Sequence, residues 1–430
     1  MERHEKKTLS KKERQSQLFI KRINSRMVKR KLSINVCNAD LFLTKIMSNT
    51  LNKNSSNSSE ESKNTLTLEI FKKEYDKFQP GEFSQKPFGI IKSFAYNTYH
   101  GLMKPENEDK YLIVPHIKKP STANVRTWPK MSLFGIFDGH GGESCAIYLK
   151  DNFLPFLLED KNFPVDIKVS LQTTLERLET EFHKKFNFDE KNPQDVSGSC
   201  ALVTLIVDNK IYVANIGDSR AILSLENGAK FRPITIDHKP NNPKEYERII
   251  KAGGKVYIDN DDPIRDIEKV KIINNEKEFD EHLKDPEVVY RIYPCDLAVS
   301  RTIGDIKAKS KELNAVPGCI SSACEIFTFD NNNSNDFIIM GCDGIYDCLS
   351  NKDLIDTAWF AVNKLGKEKK YDINKISLDM CNMIIKNSMD KLSADNLTVI
   401  IIGLEGLEKY LHNKINKEKI GNMIKENSKE

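Results

Sequence analysis

No stretch of the 430-residue sequence approaches the roughly 20 consecutive apolar residues that a membrane-spanning helix needs; the longest candidates, such as 397–404, have strand length. The chain therefore reads as a soluble protein. Its basic N-terminus has no apolar stretch behind it, which argues against a secretory signal, and Met1-Glu2 lacks the glycine that myristoylation requires. Glu2, Glu5 and Glu13 weaken the case for a transit peptide. No two of the nine cysteines form a C-x-x-C pair, and none clusters with histidine at zinc-ligand spacing. They read as buried free thiols in a reducing compartment, which predicts a cytoplasmic or nuclear protein. A serine hydrolase lacks support, because no G-x-S-x-G elbow accompanies His140-Gly141-Gly142 or Gly217-Asp218-Ser219. A nucleotide-binding loop fails too, since Gly253-Gly254-Lys255 is followed by valine and has no phosphate-cradling loop before it.

What the sequence does have is a one-sided charge. Lys and Arg number 66 against 62 Asp and Glu, a formal net of +4. Residues 1–32 alone carry 12 Lys/Arg against 3 Asp/Glu, a net of +9, which leaves −5 on residues 33–430. Such a basic stretch suits an acidic surface such as nucleic acid or a membrane, a nuclear address, or a plain solvated tail. Residues 1–85 read as a basic, low-complexity and largely disordered extension. Within it, the Ser/Asn/Glu-rich tract 54–64 buries too little apolar surface to order itself, and 66–78 has the pattern of one amphipathic helix before Pro80-Gly81. Residues 86–404 read as the folded domain, with 259–286 as a charged surface insertion and 405–430 as a lysine-rich, solvated helix or tail. Asp259-Asn260-Asp261-Asp262 does not open a calcium loop, because Ile264 and Val270 stand where such a loop needs Gly and Glu.

Inside the domain, short runs rich in β-branched and aromatic residues predict strands at 133–137, 201–207, 211–215, 221–225, 337–342 and 397–403. Asp208-Asn209, between two of these runs, suits a tight antiparallel hairpin. Helices are predicted at 143–158, 169–186, 243–251 and 353–363, the third closed by Gly253-Gly254.

Single acids fall at the ends of the apolar runs. Asp138 follows Leu133-Phe-Gly-Ile-Phe137, Asp343 follows Phe337-Ile-Ile-Met-Gly-Cys342, and Asp395 comes just before Leu397. Asp218 lies between two predicted strands, and Glu108-Asp109 precede 111–114. One aspartate before glycine is most often a turn residue. Several at strand ends, some beside glycine, can converge on one sheet edge, where they would repel one another unless cations were bound. An all-carboxylate set favours hard divalent ions, Mg²⁺ or Mn²⁺, over zinc.

Nine short motifs run in order across 94–403: Lys104-Pro-Glu-Asn-Glu108-Asp109; Phe137-Asp-Gly-His-Gly-Gly142; Ser197-Gly-Ser-Cys-Ala201; Asn215-Ile-Gly-Asp-Ser-Arg220; Asp237-His-Lys-Pro240; Glu247-Arg-Ile with Ala252-Gly-Gly254; Leu297-Ala-Val-Ser-Arg301 with Gly304-Asp305; Asp343-Gly-Ile-Tyr-Asp347; and Ser393-Ala-Asp-Asn396. Together they resemble the metal-dependent protein phosphatases (PPM family, type 2C serine/threonine phosphatases). The resemblance implies an α+β fold, a four-layer α-β-β-α sandwich of two antiparallel sheets flanked by helices. It also implies two Mg²⁺ or Mn²⁺ ions per catalytic domain, held by Asp109, Asp138, the Gly139 carbonyl, Asp343 and Asp395, with Glu108 acting through water. Asp218 and Asp347 match positions associated with a weaker third ion.

Phosphoserine and phosphothreonine proteins are the substrates so implied, and a monomer is expected. Two ions about 4 Å apart would generate hydroxide for in-line attack on phosphorus. His140 then has two readings: proton donor to the leaving oxygen, or orienter of a metal ligand. Lys104 stands where the family usually has arginine for the substrate phosphate, and an ammonium cannot reproduce a guanidinium's planar fork. Residues 306–316 fall where the family has a variable flap. The competing reading is a catalytically silent member of the same fold acting as a regulatory binding module. Its expected signature is loss of the metal acids, and all of them are present.

Overall fold

Leu397–Gly403 contains no charged side chain and is buried throughout, as are Met131–Phe137 and Asn335–Gly341. Strands of this kind are covered on both faces. In the computed structural model each lies inside a sheet, with a second sheet on one side and helices on the other. The structure describes residues 77–121, 123, 125–186, 189, 193–258, 271–273, 288–364, 372–414 and 416.

Eleven strands build the two main sheets: β1 Glu82–Phe83, β2 Ser93–Tyr99, β3 Lys110–Val114, β4 Met131–Phe137, β5 Ala201–Val207, β6 Lys210–Ile216, β7 Arg220–Leu225, β8 Lys230–Pro233, β9 Glu325–Asp330, β10 Asn335–Gly341 and β11 Leu397–Gly403. The first sheet has the order β1-β2-β11-β10-β7-β8 and the second β9-β6-β5-β4-β3. All neighbouring strands in both are antiparallel. Longer helices accompany them, among them α1 Ser144–Glu159, α2 Ile167–Phe186, α3 Pro243–Ala252, α4 Asn351–Lys364 and α5 Ile373–Asp390.

The sheets meet face to face. Phe134 and Ile136 of β4, with Leu202 and Ile206 of β5, share one buried cluster with Ile400 of β11, Leu223 of β7 and Met340 of β10. Phe94 of β2 meets Phe134 edge-on across the gap, ring centroids 5.5 Å apart. The alternate residues of β4 and β5, Leu133, Phe137, Val203 and Leu205, point the other way into α1 and α2. Helices α4 and α5 cover the outer face of the first sheet, where Trp359 stacks near Phe337 and donates to Ser224 Oγ at 2.9 Å. This is the expected α-β-β-α sandwich.

Local signals position several elements as the sequence predicts. β5 and β6 form the hairpin, pairing Val207 with Lys210, and Asp208 adopts a φ of 50° at the turn. Asn242 caps α3 by accepting the Lys244 N–H, Pro243 opens the helix, and Gly253 closes it at φ 94°. β2 is absent from the predicted strands because the face it turns to α5 carries the polar Ser93 and Asn97. Ser93 shares a 2.7 Å hydrogen bond with Ser377 of α5, and Asn97 donates to Asn382 of α5 at 2.8 Å. Hydrogen bonds replace the apolar alternation that would have marked the strand, and α5 itself was not predicted.

Three boundaries differ from expectation. The described end of the extension joins the domain: β1 pairs with β2, and the Gly81 N–H donates to Asn382 Oδ1 at 3.1 Å. Residues 405–414, expected as a solvated helix or tail, are helical but bury Leu407 and Leu411 in the core, while Tyr410 meets Trp359 edge-on at 4.9 Å. The lysines of that stretch hid an apolar stripe at helical spacing. Within the charged insertion, Lys271–Ile273 is a strand; it pairs with Lys255–Ile258, which also pairs with Tyr290–Tyr293. The rest of 259–286, the basic 1–32, the tract 54–64 and residues 66–76 of the predicted helix lie outside the described residues. The flap segment opens with a short helix, Ile306–Lys309, followed by a 3-10 turn at Lys311–Leu313. Among the described residues, no helix is long and apolar enough to cross a membrane.

Burial of Leu407 gives residues 405–414 a stabilising role. Leu407→Ala is expected to lower unfolding free energy by about 2–4 kcal/mol, whereas Lys409→Ala, at an exposed i,i+4 pair with Glu405, changes it by less than about 0.5 kcal/mol. Urea denaturation of the two variants checks this; equal, negligible effects would mean the segment does not contribute to the core.

Candidate metal centre

Strand ends bring the acids together. Asp138 immediately follows β4, Asp343 follows β10 by one residue, Asp218 follows β6, Asp109 precedes β3 and Asp395 precedes β11. Carboxylate oxygens of Asp138, Asp218 and Asp343 lie within 4.8 Å of one another, and those of Asp109 and Asp138 lie equally close to Cys342 Sγ. The Asp343 N–H donates to Asp138 Oδ2 at 3.3 Å. Lys104 Nζ sits 2.9 Å from Asp395 Oδ1 and 3.5 Å from Glu108 Oε2.

Uncharged side chains fix this arrangement. Asn396 accepts the Glu108 N–H at 2.9 Å and donates to the His100 and Glu106 carbonyls at 3.0 and 2.9 Å. It thereby ties the Glu108-Asp109 loop to the Asp395 loop. Thr398 donates to Asp109 Oδ2 at 2.6 Å, and Glu108 Oε1 accepts the Gly142 N–H at 2.7 Å. At Gly139 a Cβ would stand 2.6 Å from the Glu108 carbonyl oxygen, so only glycine permits this close approach of the two loops.

Electrostatics mark the cluster as a place for cations. Burial first, and then Asp343, push Asp138 well above the usual carboxylate range; burial and Asp218 do the same to Asp343. Burial lifts Asp109 to about 6 despite the Thr398 hydroxyl that donates to it. Asp218 is raised by burial, with Lys239 pulling the other way. Buried acids that repel one another hold their charges at neutral pH only when positive charge is supplied. The donors are oxygens, which suits hard divalent ions. Cys342 does not alter that match: its thiol donates to the Asn396 carbonyl at 3.3 Å, accepts the Thr398 N–H at 3.1 Å, and is kept protonated by burial. The residues present therefore fit Mg²⁺ or Mn²⁺. The eight described cysteines are all free, as expected.

His140 follows Gly139, and its Nε2 lies 2.8 Å from Asp305 Oδ2. Burial opposes protonation of the ring, but the charge and hydrogen bond of Asp305 outweigh it, and His140 sits above its ordinary range. Asp305 is held by its own N–H on the Ser197 carbonyl (3.0 Å). The preceding Gly304 N–H donates to Glu179 Oε2 at 2.8 Å, and Lys309 pairs with Glu179 Oε1 at 2.6 Å. A Cβ at position 198 would overlap both Asp305 Oδ2 and His140 Nε2, which explains the glycine of Ser197-Gly-Ser199. Asp305 had no assigned role in the sequence reading, and neither did Asn396, Thr398 or Lys239. The signal was partial: all but Thr398 stand inside the nine motifs, which mark position without stating what each side chain touches. Asp218 and Asp347, expected as a pair, are joined through Lys239, whose Nζ is 3.6 Å from the first and 3.2 Å from the second.

Comparison with known proteins agrees with this architecture. Residues 102–397 match the family model of Protein phosphatase 2C. The chain is 30% identical over 304 residues to Protein phosphatase 2C homolog 2 of Hypocrea jecorina, covering 70% of this chain and 58% of that one. It is also 30% identical over 323 residues to Protein phosphatase 1A of Oryctolagus cuniculus, covering 73% and 71%. The matches span about three fifths of the length of the fungal relatives. Among solved structures, a serine-threonine phosphatase 2C from Toxoplasma gondii superposes with a TM-score of 0.53 at 19% identity, over 76% of this chain and all of that one. A C. elegans sex determining protein gives 0.55 at 18%, over 92% and 84%. With a family match over more than half its length and the expected sandwich beneath it, the chain belongs to the protein phosphatase 2C family.

Proposed function

We propose that this protein is a metal-dependent phosphatase that removes phosphate from phosphoserine and phosphothreonine in proteins. The observation that carries the reading is the convergence of Asp109, Asp138, Asp343 and Asp395 from four strand ends, beside Lys104 and His140. Asp109, Asp138, the Gly139 carbonyl, Asp343 and Asp395 would hold two divalent ions, with Glu108 alongside. Bound ions of this kind supply Lewis acidity and neutralise a phosphate dianion, making water a competent nucleophile near neutral pH.

The remaining roles fall to side chains. Lys104 Nζ, now shared between Asp395 and Glu108, is the cation positioned to attract the phosphate oxygens, as a point charge rather than a fork. Asp305 fixes the His140 ring through Nε2, which leaves Nδ1 as the atom that holds a proton for the departing serine or threonine oxygen. Asp305 is thus a positioning residue. The reading of a silent binding module draws on one observation, the lysine at position 104, which weakens phosphate orientation without removing the metal acids.

Three outcomes are expected. Wild-type protein releases phosphate from a phosphothreonine peptide only with Mn²⁺ or Mg²⁺, and Asp343→Asn loses at least about 100-fold in kcat/KM. A folded wild type that releases none with either ion would instead favour the binding module. Lys104→Arg raises kcat/KM by about fivefold, the equivalent of ~1 kcal/mol for a better-directed charge-assisted hydrogen bond; unchanged kcat and KM would contradict the point-charge argument. Asp305→Asn lowers kcat on the phosphothreonine peptide by about 10- to 100-fold, yet only a few-fold on p-nitrophenyl phosphate, whose leaving group needs no proton. Equal losses on both substrates would assign Asp305 a purely structural role.

A further inference from the structure

The two acids expected at a weaker third ion already share a positive charge. Lys239 Nζ lies 3.2 Å from Asp347 Oδ1 and 3.6 Å from Asp218 Oδ2, and Asp218 belongs to the group whose oxygens close to within 4.8 Å around Asp138 and Asp343. Its ammonium is therefore at the edge of the metal centre, against the same carboxylates an additional dication would need.

The fold builds this contact in. His238, before the lysine, is 1% exposed; its N–H donates to the Gly217 carbonyl and its Nδ1 accepts the Gly217 N–H, both at 3.0 Å. Its carbonyl accepts from the N–H and hydroxyl of Ser300, at 2.8 and 2.9 Å. Pro240, after the lysine, is buried and has a fixed φ. Gly217 immediately precedes Asp218. The backbones of Lys239 and Asp218 are thus clamped together one residue away on each side, and the short reach of the ammonium follows from that clamp.

We infer that Lys239 is a built-in cation that takes the place of a third divalent ion at Asp218 and Asp347, so that the chain binds two ions tightly and resists a third. The inference rests on the two-ion reading of the site. A dication entering between these acids must either approach a fixed positive charge at contact distance or displace it into solvent, and partial burial weakens the screening that would relieve the repulsion. The positive charge beside Asp218 then stays constant whatever the free metal concentration.

Mn²⁺ binding to the full chain, followed by the electron paramagnetic resonance of free Mn²⁺, tests this without reference to activity. Wild type should bind two ions, with any third at least about tenfold weaker than in Lys239→Met, because removal of one adjacent charge is worth about that factor or more. Lys239→Arg should behave as wild type, and the double variant Lys239→Met/Asp218→Asn should lose the added ion. Third-ion affinity unchanged in Lys239→Met, or an added ion that survives Asp218→Asn, overturns the inference while leaving the two-ion reading intact. No binding by folded wild type overturns the two-ion reading itself, and this inference with it.

Discussion

Repulsion among carboxylates gathered at the strand ends of two sheets is the constraint around which this molecule is organised. Asp138, Asp343 and Asp218 are each pushed toward the protonated form by burial and neighbouring charge, and they stay together because apolar strands hold their backbones in place. β4, β10 and β11 are buried throughout, so their ends have little freedom to move apart. Stability from the core is used to hold an unfavourable charge arrangement, a pattern common at functional sites.

The cations that answer this repulsion are of two kinds. Lys104 and Lys239 belong to the chain, and each reaches two acids: Glu108 and Asp395 for the first, Asp218 and Asp347 for the second. The remainder must be exchangeable, and the oxygen donor set defines its chemistry. Neutral hydrogen bonds do the positioning between them. Asn396, Thr398 and the close approach at Gly139 fix the acids without adding charge, so the field at the site is set by carboxylates and cations alone.

A second layer of ion pairs lies behind the centre. Arg220 pairs with Asp237 at 2.5 Å and stacks over Tyr346 at 4.5 Å, while Glu245, nearly fully buried, is gripped by Arg248 and Arg301. Arg248 and Ser300 join this network to the carbonyl of His238 through Ser300, and so to the segment that carries Lys239. Glu179 performs a similar task for the turn bearing Asp305: burial disfavours its charge, but Lys309 prevails and holds it at about 2. These pairs are partly desolvated and fully hydrogen-bonded, which suits positioning better than it suits net stabilisation.

The sequence by itself carried the family, through nine motifs in order, and the sandwich as what that resemblance implies; the strands and acids were legible in local features, apolar runs of strand length with single acids at their ends, several beside glycine. β5 and β11 fall at their predicted residues, and the Asp208 hairpin forms as the turn chemistry requires. Elements that compensate polar groups against distant partners were not legible. β2 buries Ser93 and Asn97 only because α5, nearly 300 residues away, offers Ser377 and Asn382, and the helix at 405–414 shows its apolar stripe only once Trp359 is there to receive it. The site divides in the same way. Asp138 and Asp343 announce themselves at strand ends, whereas the contacts of Asp305 with His140 and of Lys239 with Asp218 depend on loops that only the packed sheets bring within reach. Residue type and spacing identify which groups can carry charge; which charges face one another is a through-space property, fixed when the two sheets close.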